Sequence, residues 1–143
     1  MPLPRQRRFP RSRASVRDAR EFTLQVLTEW GCTDRLDDIR LCVSELVTNA
    51  LLHGVPPGRE YCVSLARDGA VIRLEVRDSG DRDLPSQQPH SEIPDTGEES
   101  GRGLFLAREL ADDLGISKHV VGKTVWVTFK AALQHEPFPE AET

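Results

Sequence analysis

The sequence lacks the features that mark membrane-spanning, secreted and metal-stabilised proteins. Its apolar runs are shorter than the roughly 18 residues that a membrane-spanning helix requires, and the N-terminus has no apolar stretch typical of a secretion signal. The three cysteines, Cys32, Cys42 and Cys62, show no C-x-x-C spacing, so they indicate neither a disulfide framework nor a zinc site. We therefore expect a soluble cytoplasmic protein without membrane association, whose cysteines are buried or partly buried thiols.

Basic residues are concentrated near the N-terminus. The first twenty residues contain seven arginines but a single acid, Asp18. Such a segment could contact nucleic acid or another anionic surface, but it has no aromatic residue besides Phe9, and no recognition-helix pattern follows it. These absences favour a solvated, flexible arm over direct nucleic-acid binding.

The 143 residues are enough for one domain with its own hydrophobic core. We expect a basic flexible arm at residues 1–12 and the folded domain at residues 13–133. Residues 134–143 are rich in proline and glutamate, and this composition predicts a disordered acidic tail.

Hydrophobic periodicity predicts three helices. Apolar residues recur at helical spacing over residues 15–30, 34–54 and 105–114. Ser15 fits the N-cap position of the first helix, and Gly115 is expected to end the third.

Alternating apolar residues predict two antiparallel hairpins, one before and one after the third helix. Their strands are expected at residues 61–65, 71–76, 116–121 and 124–129. Helices and hairpins in this order predict an α+β fold, a two-layer sandwich in which three helices cover one face of a mostly antiparallel sheet.

A long segment without hydrophobic periodicity separates the first hairpin from the third helix. Residues 80–100 are rich in Asp, Pro, Ser, Gln and Gly, and loops of this length are usually lids, binding loops or disordered segments. The segment ends at Gly101 and Gly103, immediately before the predicted helix. Glycines at a helix N-terminus allow an anion to approach the free amides, although this pattern alone is a weak indication of phosphate binding.

The second helix carries a row of polar residues beside its buried face. Glu45, Asn49 and His53 are four residues apart and project from one side of the helix. The row is either a solvated helix edge or a functional site. It runs alongside an apolar stripe made of Ile39, Val43, Leu46, Val47 and Ala50.

Four motifs in order carry a family resemblance: S-E-L-V-T-N-A-L-L-H-G, V-R-D-S-G, S-G-R-G-L and G-K-T-V-W. They resemble the ATP-binding motifs of the histidine-kinase-like ATPases, and the first is the most specific. Within that group the chain is most similar to the RsbW-like anti-sigma-factor serine/threonine kinases of actinobacteria. The resemblance implies the Bergerat-type ATP-binding fold with a long ATP lid.

The resemblance also implies a role for each motif, with ATP and Mg²⁺ as cofactors. Asn49 would supply an oxygen ligand to the metal, and Glu45 would act as the catalytic base. Asp78 would accept the exocyclic amine of adenine, and Gly80 would let the base approach the backbone. His53 would lie near the metal or cap the helix. The other cofactor-binding residues would be Gly101, Arg102, Gly103, Leu104 and Thr124.

Two departures from the family pattern leave two functions open. Arg82 replaces the second glycine of a D-x-G-x-G motif, and Glu99 occupies a position that is often basic. Retained Glu45 and Asn49 favour a kinase that phosphorylates an anti-sigma-factor antagonist of the STAS type. The two departures instead favour a nucleotide-dependent binding module that sequesters a sigma factor or another partner with little or no kinase activity. In either case the resemblance implies a homodimer.

Overall fold

The computed structural model describes residues 4–53, 58–78 and 97–131; the side chains of His53 and of residues 97–103 lie outside this description. The five strands found there form one sheet in the order β1-β2-β3-β5-β4, and each pairing is antiparallel. The predicted α+β sandwich is confirmed. Along the chain the elements are β1 (Arg5–Pro10), α1 (Arg13–Glu29), α2 (Leu36–His53), β2 (Glu60–Asp68), β3 (Val71–Arg77), α3 (Gly97–Leu110), β4 (Asp113–Lys118) and β5 (Lys123–Lys130).

The core lies between the helices and one face of the sheet. Alternate residues of β2, β3 and β5 are buried, as expected for strands with one covered face. Burying one Val, Leu or Ile side chain contributes about 1.5–3 kcal/mol, so the apolar stripe of α2 fixes the rotation of that helix about its axis. The members of the predicted stripe are each at most 4% exposed: Ile39, Val43, Leu46, Val47 and Ala50.

Residues 5–10, which were expected to be part of a flexible arm, instead form the edge strand β1. The strand pairs with β2 and places Phe9 opposite Tyr61. Phe9 is 2% exposed, and its ring centroid lies 5.6 Å from that of Tyr61 and 6.1 Å from that of Phe22. The expectation of a flexible arm is therefore wrong for this strand, because the one aromatic residue among the arginines is a core residue.

The first helix begins earlier than predicted. Ser12, not Ser15, is the N-cap of α1, and its Oγ accepts a 3.2 Å hydrogen bond from the Ser15 N–H. Ser15 is buried, and its hydroxyl oxygen lies 2.7 Å from both the Ser12 carbonyl and the Tyr61 hydroxyl. An N-cap side chain reaches the amide three residues later, so the capping role falls to Ser12 while Ser15 joins the helix to the sheet.

The third helix differs from its prediction at both ends. It begins at Gly97 and ends at Leu110, and Gly115 lies in strand β4. Gly115 is directly opposite Trp126, where a Cβ atom would lie 2.2 Å from the indole ring. Leucine spacing in this region imitates a longer helix, but the close approach of the indole requires a glycine within the sheet.

Arg35 ties the start of α2 to the ends of α3 and β5. Its guanidinium donates hydrogen bonds to the carbonyl oxygens of Leu110 at 2.8 Å and Lys130 at 3.1 Å. It also donates to Asp38 at 3.1 Å and lies 5.0 Å from the ring centroid of Phe129. Carbonyl groups in the last turn of a helix have no partner within it, so Arg35 completes the C-terminal end of α3.

The cysteines are free thiols, as expected. Cys32 and Cys42 are buried and Cys62 is partly buried. Burial raises the pKa of Cys42 to about 12, so this thiol is unreactive at neutral pH. Within the described ranges, no helix has the length and apolar character needed to cross a membrane.

Candidate functional site

Asn49 is a buried amide on α2. It is 4% exposed, and its side chain has no hydrogen-bond partner among the residues that the structure describes. A buried polar group without a partner costs roughly 1–3 kcal/mol, so such groups are usually matched by a ligand, an ion or water. An amide oxygen is a ligand that Mg²⁺ accepts. The chemistry of Asn49 therefore fits the metal role that the sequence predicts for it.

Glu45 lies one turn before Asn49 on the same side of α2. Its Oε1 accepts a 3.2 Å hydrogen bond from the Ala107 N–H of α3. Partial burial raises the pKa of the Glu45 carboxyl, and hydrogen bonds from the amides of Ala107 and Leu106 offset only part of that rise. A carboxylate with a raised pKa accepts a proton more readily at neutral pH than an exposed glutamate does. This environment suits a general base.

Asp78 follows β3 and is held by β5. Its side chain is 3% exposed, and both carboxylate oxygens accept hydrogen bonds from Lys123. Oδ1 accepts from the backbone N–H at 3.0 Å, and Oδ2 accepts from the ammonium group at 2.8 Å. In return, the Asp78 N–H donates to the Lys123 carbonyl at 3.0 Å. The carboxylate is thus fixed by a residue 45 positions away in the chain.

Thr124, which was predicted to contribute to the same site, projects from the other face of the sheet. It lies directly opposite Arg77, whose side chain is exposed, and directly paired residues project to the same face. The Thr124 hydroxyl lies 2.8 Å from His119 Nε2. Asp78 and Thr124 line the same cavity, but among the described residues the hydrogen bonds to the Asp78 carboxylate come from Lys123. Strand alternation identifies Lys123 as the neighbour of Asp78 only once the pairing of β3 with β5 is known.

The glycines of the S-G-R-G-L motif lie within α3. Because the helix begins at Gly97, the backbone at residues 101–103 is helical, and interior helix amides bond the carbonyl four residues earlier. The phosphate site predicted at a helix N-terminus is therefore not formed at Gly101 and Gly103 in this backbone conformation. Glycine disfavours a helix by only about 1 kcal/mol relative to alanine, so the helix extends back through the motif. Leu104 is 1% exposed and belongs to the core.

Several predicted site residues lie outside the described part of the chain. Gly80 and Arg82 fall in the segment 79–96, and the side chains of His53, Glu99 and Arg102 are not described. Their roles stay predictions. The residues that are described contain no cluster of three or more His, Cys, Asp or Glu able to hold a metal.

Comparison with known proteins decides the family. Residues 9–129 match the histidine kinase-like ATPase domain. The chain belongs to this ATPase family. Relatives of this ATPase domain include the anti-sigma F factors of Shouchella clausii and Bacillus subtilis, each 33% identical over 102 residues. Those alignments cover 66% of this chain and 68% and 69% of the two relatives. The anti-sigma F factor of Anoxybacillus flavithermus is 34% identical over 99 residues, which cover 64% of this chain and 67% of the relative.

A solved structure shares the fold of this ATPase domain. The crystal structure of the RsbU and RsbW domains of a Mycobacterium tuberculosis protein matches 91% of this chain with a TM-score of 0.68 and 22% identity. The match covers 33% of that chain, so the present sequence corresponds to about a third of the longer protein.

The resemblance predicted from the four motifs is confirmed by these comparisons. A histidine kinase-like ATPase domain binds ATP, and the anti-sigma F factors place this one in the anti-sigma-factor branch of ATPases and kinases. The domain is therefore an ATP-binding member of the anti-sigma-factor family of ATPases and kinases.

Proposed function

We propose that this ATPase domain is an ATP- and Mg²⁺-dependent serine/threonine kinase that phosphorylates an anti-sigma-factor antagonist. The observation that carries the proposal is the arrangement on α2. There Glu45, with its raised pKa, lies one turn from Asn49, a buried amide with no described partner. Nucleotide binding alone requires the amide but gives no reason for a partly buried carboxylate beside it. The relatives are anti-sigma F factors, and this supports a role in the control of a sigma factor.

Asn49 would hold the nucleotide through its amide oxygen on the metal. Bound Mg²⁺ would supply the remaining charge neutralisation of the triphosphate. Because Asn49 is packed beside the apolar stripe of α2, its side chain is oriented before the nucleotide arrives, as a precise ligand requires.

Glu45 would act on the attacking hydroxyl of the substrate protein. Its carboxylate orients the serine or threonine hydroxyl and takes the proton as the oxygen bonds to the γ-phosphorus and the bond to the ADP oxygen breaks. The hydrogen bond from Ala107 fixes one carboxylate oxygen. The other oxygen is then the acceptor for the substrate proton.

Asp78 would accept the exocyclic amine of adenine, and the S-G-R-G-L motif would contact the phosphates. In the described conformation α3 is helical through that motif. Phosphate contacts from Gly101 and Gly103 therefore require the first turns of α3 to unwind, which frees their amides.

Protein partners are part of the proposal: a STAS-type antagonist as substrate, a sigma factor as the regulated protein, and a second copy of the chain in a homodimer. Both helices that carry the site expose large apolar side chains. Leu41 and Leu52 on α2 are 47% and 70% exposed, and Phe105 on α3 is 58% exposed. Exposed apolar residues beside a functional site are typical of protein-binding surfaces.

A nucleotide-dependent binding module is the second candidate. It would sequester a sigma factor or another partner with little or no phosphoryl transfer. The helical backbone at Gly101 and Gly103 favours it, since amides inside a helix are not available to stabilise the charge that develops on a phosphoryl group during transfer. Arg82 and Glu99 favour it as well.

Incubating the protein with γ-labelled ATP, Mg²⁺ and antagonist proteins from the same genome tests the proposal. A kinase transfers the label to a serine or threonine of an antagonist, whereas a binding module binds ATP in calorimetry without transfer. Asp78→Asn should weaken ATP binding in both cases, because an amide replaces half of the acceptor. Failure of the wild-type protein to bind ATP with Mg²⁺ would reject both candidates.

A further inference from the structure

The ion pair between Lys123 and Asp78 bears directly on how a base reaches the site. Each carboxylate oxygen of Asp78 has two acceptor positions. Oδ1 accepts from the Lys123 backbone and Oδ2 from its ammonium group, so a base amine that approaches Oδ2 meets a positively charged group already bonded there. The side chain of Asp78 is 3% exposed and that of Lys123 is 25% exposed. Lysine is therefore the member of the pair that an arriving ligand meets first.

We propose that Lys123 is a specificity-determining residue that restrains nucleotide binding by competing with the base amine for Asp78 Oδ2. This inference rests on the proposed role of Asp78 as the base acceptor. When only a fraction of molecules is competent to bind, the apparent Kd equals the intrinsic Kd divided by that fraction. A smaller competent fraction therefore means weaker apparent binding. The closed ion pair is the incompetent state, and opening it admits adenine.

The contact is strong enough to compete and mobile enough to open. Its 2.8 Å length is that of a charge-assisted hydrogen bond, and the burial of Asp78 limits screening by salt. Lysine carries its charge on a flexible four-carbon stem, so the partly exposed ammonium of Lys123 can turn into water. Asp78 then still accepts the backbone hydrogen bond on Oδ1, which keeps the carboxylate oriented for the base.

The same pair affects the choice between purine bases. Adenine presents an N6 amine, which is a donor, where guanine presents O6, which is an acceptor. An ammonium group beside the carboxylate repels the adenine amine but can donate to guanine O6. Removing the ammonium of Lys123 should therefore strengthen ATP binding more than GTP binding.

Calorimetry with Mg²⁺-ATP and Mg²⁺-GTP tests the inference on the wild-type chain and three variants. Lys123→Met removes the charge and keeps the length of the side chain, and Lys123→Thr leaves a short hydroxyl donor near Asp78. Lys118→Met is the matched control, because Lys118 is an exposed lysine directly opposite Lys123 in the β4–β5 pairing. Melting temperatures of all four proteins check that each is folded.

We expect both Lys123 variants to lower the Kd for ATP about tenfold and to raise the preference for ATP over GTP. Loss of a positive charge alone weakens binding of a polyanion, so Lys118→Met should leave ATP affinity unchanged or slightly weaker. Tighter ATP binding after loss of the Lys123 charge would therefore show that the ammonium group competes with the base amine for Asp78.

Two other results have distinct meanings. ATP binding by the wild-type chain that is equally tight or tighter than in both folded Lys123 variants would overturn the inference and leave the proposed function standing. ATP binding by none of the four proteins would reject the proposed function together with the inference.

Discussion

The two ends of the proposed ATP site are in opposite states. At the phosphate end, Asn49 is buried without a described partner, and Glu45 accepts a 3.2 Å hydrogen bond from the Ala107 N–H. At the base end, both carboxylate oxygens of Asp78 are already bonded to Lys123. A ligand provides a partner for the Asn49 amide at the phosphate end, but it must break the ion pair between Asp78 and Lys123 at the base end. In the proposed site, phosphate recognition would therefore favour binding, and base recognition would resist it.

The two ends also differ in how the fold builds them. Glu45 and Asn49 belong to one helix, and their relative position depends only on a spacing of four residues. Asp78 and Lys123 come from strands β3 and β5, and they meet only because the two strands pair in one register. Disturbing the sheet should therefore affect the base end while leaving the α2 pair intact.

The largest expected effect separates chemistry from binding at the phosphate end. Glu45→Gln should lower phosphoryl transfer to the antagonist by roughly 10²–10⁴-fold, because glutamine takes no proton at neutral pH. ATP affinity should change little, since the variant keeps the size and the oxygen that accepts from Ala107. Labelled transfer and calorimetry on the same preparation check both expectations. Transfer at the wild-type rate would show that Glu45 is not the base.

A smaller effect is expected for Asn49, the proposed metal ligand. Asn49→Ala should weaken Mg²⁺-dependent ATP binding by roughly 10–100-fold, measured by titration with and without Mg²⁺. The unliganded variant should melt no lower than the wild-type chain, because the amide has no described partner to lose. Thr48→Ala, at the exposed neighbouring position, is the control. A large fall in the melting temperature of Asn49→Ala alone would instead indicate a structural role.

Gly115→Ala tests the packing of β4 against β5, the strand that supplies Lys123 to the base end. The added Cβ would overlap the indole of Trp126, which also lies 4.3 Å from the Arg73 guanidinium. Overpacking of this kind costs about 1–3 kcal/mol of unfolding free energy, measured by urea denaturation. Ser117→Ala, at an exposed position in the same strand, should be nearly neutral. Equal stability of both variants would mean that the indole moves aside freely.

The smallest expected effect is the pH dependence of stability at Glu45. Burial raises the pKa of this carboxyl above its ordinary value of 4.5, so ionised Glu45 destabilises the folded state. That cost is present above the raised pKa and disappears as the pH falls towards 4.5. Glu45→Gln should therefore melt slightly higher than the wild-type chain near pH 7, and the difference should close under acidic conditions. A difference that is constant with pH would exclude this cause.

The same contrast explains which features could be predicted from the sequence. Helical spacing was enough to place Glu45 and Asn49 on one side of α2, because a helix fixes its own geometry. The strand pattern was not enough to show whether Lys123 or Thr124 faces Asp78. Neighbouring strand residues face opposite sides, and only the register between β3 and β5 decides which of the two lies beside the carboxylate. Strand β1 was missed for a related reason, because Phe9 is its one buried residue and the pattern has no second apolar position.

One guanidinium group also constrains the order in which the domain can fold. Arg35 bonds to carbonyl groups 75 and 95 residues further along the chain. Contacts between residues so distant in sequence require long loops to close first and slow folding. During synthesis α1 and α2 emerge early, but the bond of Arg35 to the Lys130 carbonyl forms only after β5 has left the ribosome. Strand β5 therefore completes the attachment of the second helix, and a chain that stops before Lys130 lacks one of these bonds.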